Sequence, residues 1–224
     1  MNKKNYGSVV VIDDNSDYGK GVADTVQKGL ESGGAKVQRI SVDAKTTDYG
    51  PTAQTIASSG AKAFFYGGYD AQAALLAKAV AATTYQGDKY TGNGGKSTVF
   101  SSGAGSAGDG WYFSCGCADA NTSPDAKDFA AAYKAKFNTD PSTYSPEAYD
   151  ATNAMIEAIK DAAKNGTPTR QSVFDAVGKL DYKGITTTVK FQENGELDAS
   201  SQIINLFQQK NGVITTLGNI KDQS

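Results

Sequence analysis

The sequence predicts an α/β fold: a parallel sheet with helices on both faces, extra helices in the second half and a C-terminal antiparallel hairpin. Three observations support this fold. Short β-branched and aromatic runs alternate with helix-length segments through the first half of the chain. The first run, residues 9–12, ends at Asp13 and Asp14, as a strand does where it enters a loop. Near the end of the chain, two apolar runs flank residues 210–212 (Lys-Asn-Gly), which is a strong hairpin signal.

The elements of the first half follow from periodicity and from the residues at their ends. The first helix carries one apolar stripe and ends at Gly33, since glycine commonly follows a helix C-terminus. Pro51 fits the first turn of the second helix, where a missing N–H is tolerated. Asp70 is the predicted N-cap of the third helix, which is apolar on nearly all sides and is therefore expected to be buried. The predicted strands are 9–12, 36–42, 61–66, 89–91 and 110–117, and the predicted helices are 19–32, 51–59, 71–82 and 98–102.

The second half is predicted to be mainly helical. Two helices begin at serine followed by proline, Ser123-Pro124 and Ser145-Pro146, because proline is favoured in a first helical turn. The predicted elements are helices 123–137, 145–164 and 169–180, a strand at 186–191 and hairpin strands at 203–208 and 212–217. The longest helix is expected to bury a face formed by Tyr149, Thr152, Met155, Ile156, Ile159 and Ala163.

Composition excludes several classes of function. The 224 residues carry a net charge of −2 with no basic stripe, so a nucleic-acid partner is not expected. The sequence has no histidine, the commonest general base and metal ligand. No apolar run approaches the roughly 18 residues of a membrane span. The residues before the first strand show no secretory-signal pattern, so we expect either a cytoplasmic protein or a processed or truncated chain.

No motif predicts an enzyme. Asp13-Asp14 resembles the metal-binding corner of a phosphoreceiver domain, but residues 67–69 (Gly-Gly-Tyr) stand where that chemistry needs a third carboxylate. Gly95-Lys96-Ser97 matches the end of a phosphate-binding loop, yet Tyr90 replaces its first glycine. Asp24 replaces the third glycine of a dinucleotide fingerprint. The sequence therefore predicts neither catalysis nor a cofactor.

The two cysteines, Cys115 and Cys117, flank a glycine at the end of the predicted fifth strand. They share a face of that strand at close to the longest distance that a disulfide can span, and Gly116 permits the kink needed to close it. In an oxidising compartment a small-ring disulfide is favoured, and the alternative is two free core cysteines. A metal site is not expected, because two thiols without histidine leave the coordination shell half empty.

Five short motifs in a fixed order resemble the substrate-binding proteins of branched-chain amino-acid ABC transporters, the leucine/isoleucine/valine-binding type. The resemblance extends over nearly all 224 residues. The motifs are 9–21 with its Asp-x-x-x-Tyr-Gly-x-Gly turn, 65–70 (FYGGYD), 92–94 (GNG), 107–112 (AGDGWY) and 144–151 (YSPEAYDA).

The resemblance implies a type I periplasmic-binding fold with two α/β lobes and a ligand in the cleft between them. It implies that Tyr18, Tyr69, Asp70 and Asn93 are ligand-binding residues. Asn93 stands where many members carry an acidic residue that pairs with the ligand ammonium. Because a charge-assisted hydrogen bond is about twice as strong as a neutral one, the amide is expected to hold an ammonium less tightly.

The resemblance also implies how the chain is organised. Residues 1–143 and 200–224 would form the ligand-binding lobe, and residues 144–199 would be a remnant of the other lobe, whose N-terminal portion is missing. The apolar stripes of helices 146–164 and 169–180 then need cover, either by folding back onto the lobe, by the missing first lobe or by a second copy of the chain. With one wall of the cleft lost, the isolated chain is expected to bind ligand weakly.

The implied function is that of an extracytoplasmic solute-binding protein, present here as a fragment, of an ABC importer. It would bind a small amino-acid-like ligand and deliver it to an ABC permease. One alternative is a ligand-sensing domain of a receptor or regulator with the same fold. A receiver-like signalling domain or an α/β enzyme is a further alternative from a different class.

Overall fold

The computed structural model describes residues 1, 4–120 and 122–223. The chain divides into two compact units. The first unit comprises Met1–Cys115 and Asn205–Ser224, and the second comprises Gly116–Ile204. Residues 116–143 and 200–204 therefore lie in the second unit, whereas the predicted ligand-binding lobe, residues 1–143 and 200–224, includes them.

The secondary structure follows the predicted order closely. The strands are β1 (Ser8–Asp13), β2 (Lys36–Ser41), β3 (Ala63–Gly67), β4 (Asp88–Thr91), β5 (Trp111–Cys115), β6 (Asp181–Lys183), β7 (Thr188–Lys190), β8 (Asn205–Lys210) and β9 (Val213–Asn219). The α-helices are α1 (Asp17–Ser32), α2 (Gly50–Ser58), α3 (Asp70–Ala81), α4 (Thr98–Ala104), α5 (Lys127–Phe137), α6 (Ser145–Ala163) and α7 (Arg170–Val177).

A seven-stranded sheet in the order β2-β1-β3-β4-β5-β8-β9 forms the centre of the first unit. The strands from β2 to β5 run parallel, and β8 and β9 continue the sheet antiparallel. Asn211 and Gly212 join β8 to β9 with φ of 53° and 77°, the left-handed geometry that a tight hairpin turn needs. The mixed sheet and its C-terminal hairpin confirm the predicted fold class.

β1 is an interior strand of the sheet, because both of its edges are paired with neighbouring strands. It bonds to β2 on one side and to β3 on the other, and the side chains of residues 9–12 are fully buried. A continuous β-branched run suits a parallel strand that is covered on both faces. On one of these faces Val9 and Val11 pack with Leu30 of α1 and Phe65 of β3.

The loop after β1 is held by buried carboxylates. Asp13 is fully buried and accepts hydrogen bonds from Arg39 Nε at 2.7 Å, Ser41 Oγ at 2.8 Å and the Asn15 amide at 2.8 Å. Burial by itself raises the pKa of Asp13, but these three donors together hold it below its ordinary value. Asp14 accepts from the amide and hydroxyl of Ser16, whose side chain caps α1. The acidic pair therefore shapes the turn rather than forming a metal site.

The second unit contains α5 to α7 and the two-stranded sheet β6–β7. Its apolar cluster joins Ala154 and Ala158 of α6 to Leu180 and to residues of α7, β6 and β7. Asp150 is 2% exposed and accepts from the Ile185 amide at 2.9 Å and the Thr186 amide at 2.8 Å. A buried carboxylate in α6 thus fixes the loop between β6 and β7.

The predicted buried face of α6 is wrong. The helix packs through small residues spaced four apart, Ala154, Ala158 and Ala162, together with Asp150. The large side chains that we expected inside are 43–46% exposed: Tyr149, Met155, Ile156 and Ile159. Small residues allow close approach of α6 to its neighbours in this unit, and the larger apolar stripe lies on another face.

Several local predictions also need correction. Asp70 is the first residue of α3 rather than its N-cap, which is Tyr69. α3 is not buried on all sides, since Leu75 and Lys78 are exposed. The fifth strand ends at Cys115 rather than at residue 117, α4 extends two residues beyond its predicted end to Ala104, and strand β6 was not predicted.

Replacing Asp13 with Asn should destabilise the first unit by about 3 kcal/mol, because Arg39 loses its buried partner. The pKa of Asp13 is lower in the folded chain than in the unfolded chain, so its stabilisation is present above about pH 4 and lost as pH falls through the folded pKa. Denaturant unfolding at a series of pH values measures both effects, and Asp13→Asn should show a weaker acid dependence.

Asp24→Asn is the matched control, since Asp24 binds the same arginine at 3.0 Å but is 72% exposed. It should change the free energy of unfolding by no more than about 0.5 kcal/mol. Equal losses for the two variants would contradict the role of the buried carboxylate.

Candidate ligand-binding site

Three loops meet at the carboxyl edge of the parallel strands β1, β3 and β4. These strands are neighbours in the sheet, with Asp13 of β1 opposite Gly67 of β3 and Tyr66 of β3 opposite Thr91 of β4. Each is followed at once by a loop and a helical turn. The edge beyond the carboxyl ends of parallel strands is where open α/β sheets place their ligands.

The structure brings Tyr18, Tyr69 and Asn93 together at this edge. Tyr18 lies in the first turn of α1, Tyr69 precedes α3, and Asn93 begins a 3-10 turn after β4. The Tyr18 hydroxyl donates to Asn93 Oδ1 at 3.0 Å and accepts from the Gly94 amide at 3.1 Å. One phenol group thereby connects the loops that follow β1 and β4.

The rings of Tyr18 and Tyr69 form the apolar part of the site. Their centroids are 5.1 Å apart with an interplanar angle of 34°. Tyr69 remains 47% exposed, and its hydroxyl makes no hydrogen bond within the described part of the chain. Paired aromatic rings with one open face can receive the apolar body of a small ligand.

Asp70 lies beside this cluster, and both of its carboxylate oxygens accept hydrogen bonds from neighbouring groups. Its Oδ1 accepts from the Ala71 amide at 2.8 Å, and its Oδ2 accepts from Ser97 Oγ at 2.5 Å. Ser97 Oγ in turn caps α4 by accepting from the amides of Val99 and Phe100. Asp70 therefore ties the start of α3 to the start of α4 and supports the two loops that carry Tyr69 and Asn93.

Two glycines let the loops approach each other. A Cβ on Gly94 would lie 2.6 Å from the Gly68 carbonyl oxygen and 2.9 Å from the ring of Tyr18. A Cβ on Gly67 would lie 2.8 Å from the Gly19 carbonyl oxygen. Any side chain at these positions would force the three loops apart.

A buried layer of tyrosine lies beneath the site. Tyr66 at the end of β3 is fully buried, and its hydroxyl is 3.3 Å from that of Tyr49. Burial raises the pKa of Tyr66 well above its ordinary value, so this phenol stays neutral. The Tyr66 hydroxyl therefore adds no charge beneath the site.

Sequence reasoning missed Ser97 and the Gly94 amide. A serine immediately before a helix is a recognised capping signal and could have identified Ser97 as the start of α4. Its bond to Asp70 joins residues 27 positions apart and has no signature in the sequence. The role of the Gly94 amide likewise depends on the distant Tyr18.

The cysteines lie at the point where the chain leaves the first unit. Cys115 and Cys117 are both buried and both disulfide-bonded, so neither is a free thiol. Among the described residues, no group of three or more His, Cys, Asp or Glu side chains is placed to hold a metal ion. Within the same residues, no helix is long and apolar enough to cross a membrane.

A family model described as periplasmic binding protein matches residues 1–211. The chain is 31% identical over 213 residues to Leu/Ile/Val-binding protein homolog 3 of Brucella melitensis, covering 93% of this chain and 56% of that protein. It is 27% identical over 208 residues to Leu/Ile/Val-binding protein BraC3 of Rhizobium johnstonii, covering 92% and 55%. The chain thus spans about half the length of the curated relatives it matches.

Solved structures show the same fold. A leucine-binding protein from Thermotoga maritima superposes with a TM-score of 0.85 at 21% identity, covering 99% of this chain and 63% of that one. A Streptococcus pneumoniae branched-chain amino-acid transporter protein in complex with isoleucine gives 0.81 at 24% identity, covering 96% and 61%. A Rhodopseudomonas palustris solute-binding protein in complex with benzoate gives 0.83 at 17% identity, covering 98% and 60%.

Replacing Tyr18 with Phe should loosen the turn that holds Asn93 while leaving the ring in place. Loss of the hydroxyl removes the acceptor for the Gly94 amide, a hydrogen bond that contributes about 1 kcal/mol. Hydrogen exchange of this amide should become roughly fivefold faster. Tyr69→Phe is the control, and it should leave the exchange rate unchanged; similar acceleration by both variants would refute the bridging role of Tyr18.

Proposed function

This chain belongs to the periplasmic-binding-protein family, and we propose that it is the ligand-binding part of an extracytoplasmic solute-binding protein of an ABC importer. It is a binding protein rather than an enzyme, as its relatives are. Its partners would be a small organic ligand and an ABC permease that receives it. The Leu/Ile/Val-binding relatives support a ligand of amino-acid size.

The convergence of Tyr18, Tyr69 and Asn93 carries this proposal. Two aromatic rings and a hydrogen-bonded amide meet at the carboxyl edge of a parallel sheet, where an α/β sheet binds its ligand. Asp70 supports the same edge through Ser97 and is proposed as part of the site's frame. The first unit would supply one wall of a ligand cleft, and residues 144–199 would belong to the other lobe.

A titration of the ¹⁵N-labelled chain with isoleucine and with benzoate tests the site. We expect amide signals around residues 18, 69 and 93 to shift, with a dissociation constant in the millimolar range because only one wall of the cleft is present. Tyr69→Ala should weaken binding roughly tenfold, since half of the aromatic surface is removed.

Tyr149→Ala is the matched control, because Tyr149 is 46% exposed against 47% for Tyr69 but lies in the second unit. It should leave both titrations unchanged. If neither probe shifts the signals of the three loops, or if the two variants behave alike, the proposed site is wrong.

The exposed apolar stripe of α6 supports the proposal that a further layer of structure covers this helix. A helix that is apolar on two faces is normally covered on both. One face packs within the second unit through Ala154 and Ala158, whereas Ile156 and Ile159 are each 43% exposed. Since the chain spans about half the length of its curated relatives, the occupant would be the remaining part of a full-length binding protein.

The chain on its own is expected to be monomeric and to bind a hydrophobic dye through this stripe. Ile156→Lys with Ile159→Lys should reduce dye binding and change the free energy of unfolding by no more than about 0.5 kcal/mol, because both side chains are already exposed. Ala158→Lys, at a fully buried position of the same helix, should instead unfold the second unit. Sedimentation that finds a dimer dissociated by the double substitution would show that a second copy covers the stripe.

A further inference from the structure

We propose that this site selects organic acids that lack an ammonium group, with a branched aliphatic or aromatic body, over free amino acids. The inference rests on the proposed function and specifies its ligand class. Solved structures of the same fold hold either isoleucine or benzoate, so the fold itself admits both kinds of ligand. The choice between them must come from the polar groups of this chain.

The hydrogen bonds of Tyr18 determine what Asn93 can offer to a ligand. The Gly94 amide donates to the Tyr18 oxygen, so the phenol proton is available to point elsewhere. It is directed to Asn93 Oδ1, which lies 3.0 Å away. One lone pair of Asn93 Oδ1 therefore already accepts a hydrogen bond inside the protein, and the orientation of the amide follows from the Gly94 backbone.

The group of Asn93 that has no partner within the protein is a donor. Its Nδ2 has no hydrogen-bond partner among the described residues, and the side chain is only partly buried. An amide NH₂ can bind a carboxylate or a carbonyl oxygen, whereas it has no lone pair to accept a bond from an ammonium. The polar end of this wall thus suits the acidic group of a ligand.

The carboxylates around the site already accept hydrogen bonds from groups of the protein. Asp70 accepts from Ser97 Oγ and the Ala71 amide, one bond on each oxygen. Asp13 and Asp14 are buried below the loop. Asp17, on the first turn of α1, is exposed, and a solvent-exposed ion pair with a ligand ammonium would contribute little.

The apolar part of the site suits the body of such an acid. Tyr18 and Tyr69 offer two ring faces tilted by 34°, with the Tyr69 ring half exposed. Rings at this separation can pack against a flat aromatic ring or a branched alkyl chain. Desolvating an ammonium beside these rings would oppose binding, because the Tyr69 hydroxyl is a neutral acceptor and gives a weaker hydrogen bond than a carboxylate.

Matched ligand pairs test this selectivity in the full chain. We would titrate the ¹⁵N-labelled protein with isoleucine and 3-methylpentanoate, and with phenylalanine and 3-phenylpropanoate; the members of each pair differ only in the ammonium group. The acids should bind at least about tenfold more tightly than the corresponding amino acids. Signals around residues 18, 69 and 93 identify binding at this site.

Asn93→Asp is the diagnostic variant, because it keeps an acceptor for Tyr18 and converts the free donor into a carboxylate. It should weaken binding of both acids about tenfold and strengthen binding of both amino acids. Asn165→Asp makes the same change of charge at an exposed position of the second unit and should alter neither.

The outcomes separate the inference from the proposed function. Equal or tighter binding of the amino acids at these loops would overturn the inference and leave the binding function intact. Loss of such amino-acid binding in Asp70→Asn would then identify Asp70 as the partner of the ammonium. If none of the four ligands perturbs the three loops, both the inference and the proposed site are wrong.

Discussion

Parallel pairing of β1, β3 and β4 is the constraint on which the rest of the structure depends. Parallel neighbours end at the same edge of a sheet, so loops that are far apart in sequence must meet there. Tyr18, Tyr69 and Asn93 are each a few residues beyond the end of one of these strands. No single loop contains the site, and a change in strand order would disperse it.

The Tyr18 hydroxyl makes the hydrogen bonds that connect these loops. By accepting from a backbone amide and donating to Asn93 Oδ1, it links two loops and fixes the orientation of the Asn93 amide. Glycine at position 94 is required because the backbone there touches both the Tyr18 ring and the carbonyl of Gly68. A small network therefore sets the shape of the wall and the orientation of the Asn93 amide.

In the second unit, α6 has two apolar faces, and only its alanine face packs within the unit. α6 uses its alanine stripe and Asp150 to pack within the unit, and its larger apolar residues are left at the surface. Periodicity alone favours the larger residues as the buried face, because they account for more apolar area. In the structure, close packing within this unit instead buries the smaller residues.

The sequence alone determined the order of the strands and helices apart from β6, the parallel sheet and the hairpin at Asn211-Gly212, and its family resemblance identified the three loops that carry the candidate site. The strands, helices and hairpin depend on local periodicity and on the residues at element ends. Both are visible within a single stretch of the sequence. Only the tertiary structure decided that Ser97 holds Asp70, that Tyr18 orients Asn93 and that α6 buries its alanines. Each of these outcomes depends on contacts between residues distant in sequence, and such contacts exist only once the strands and helices have packed.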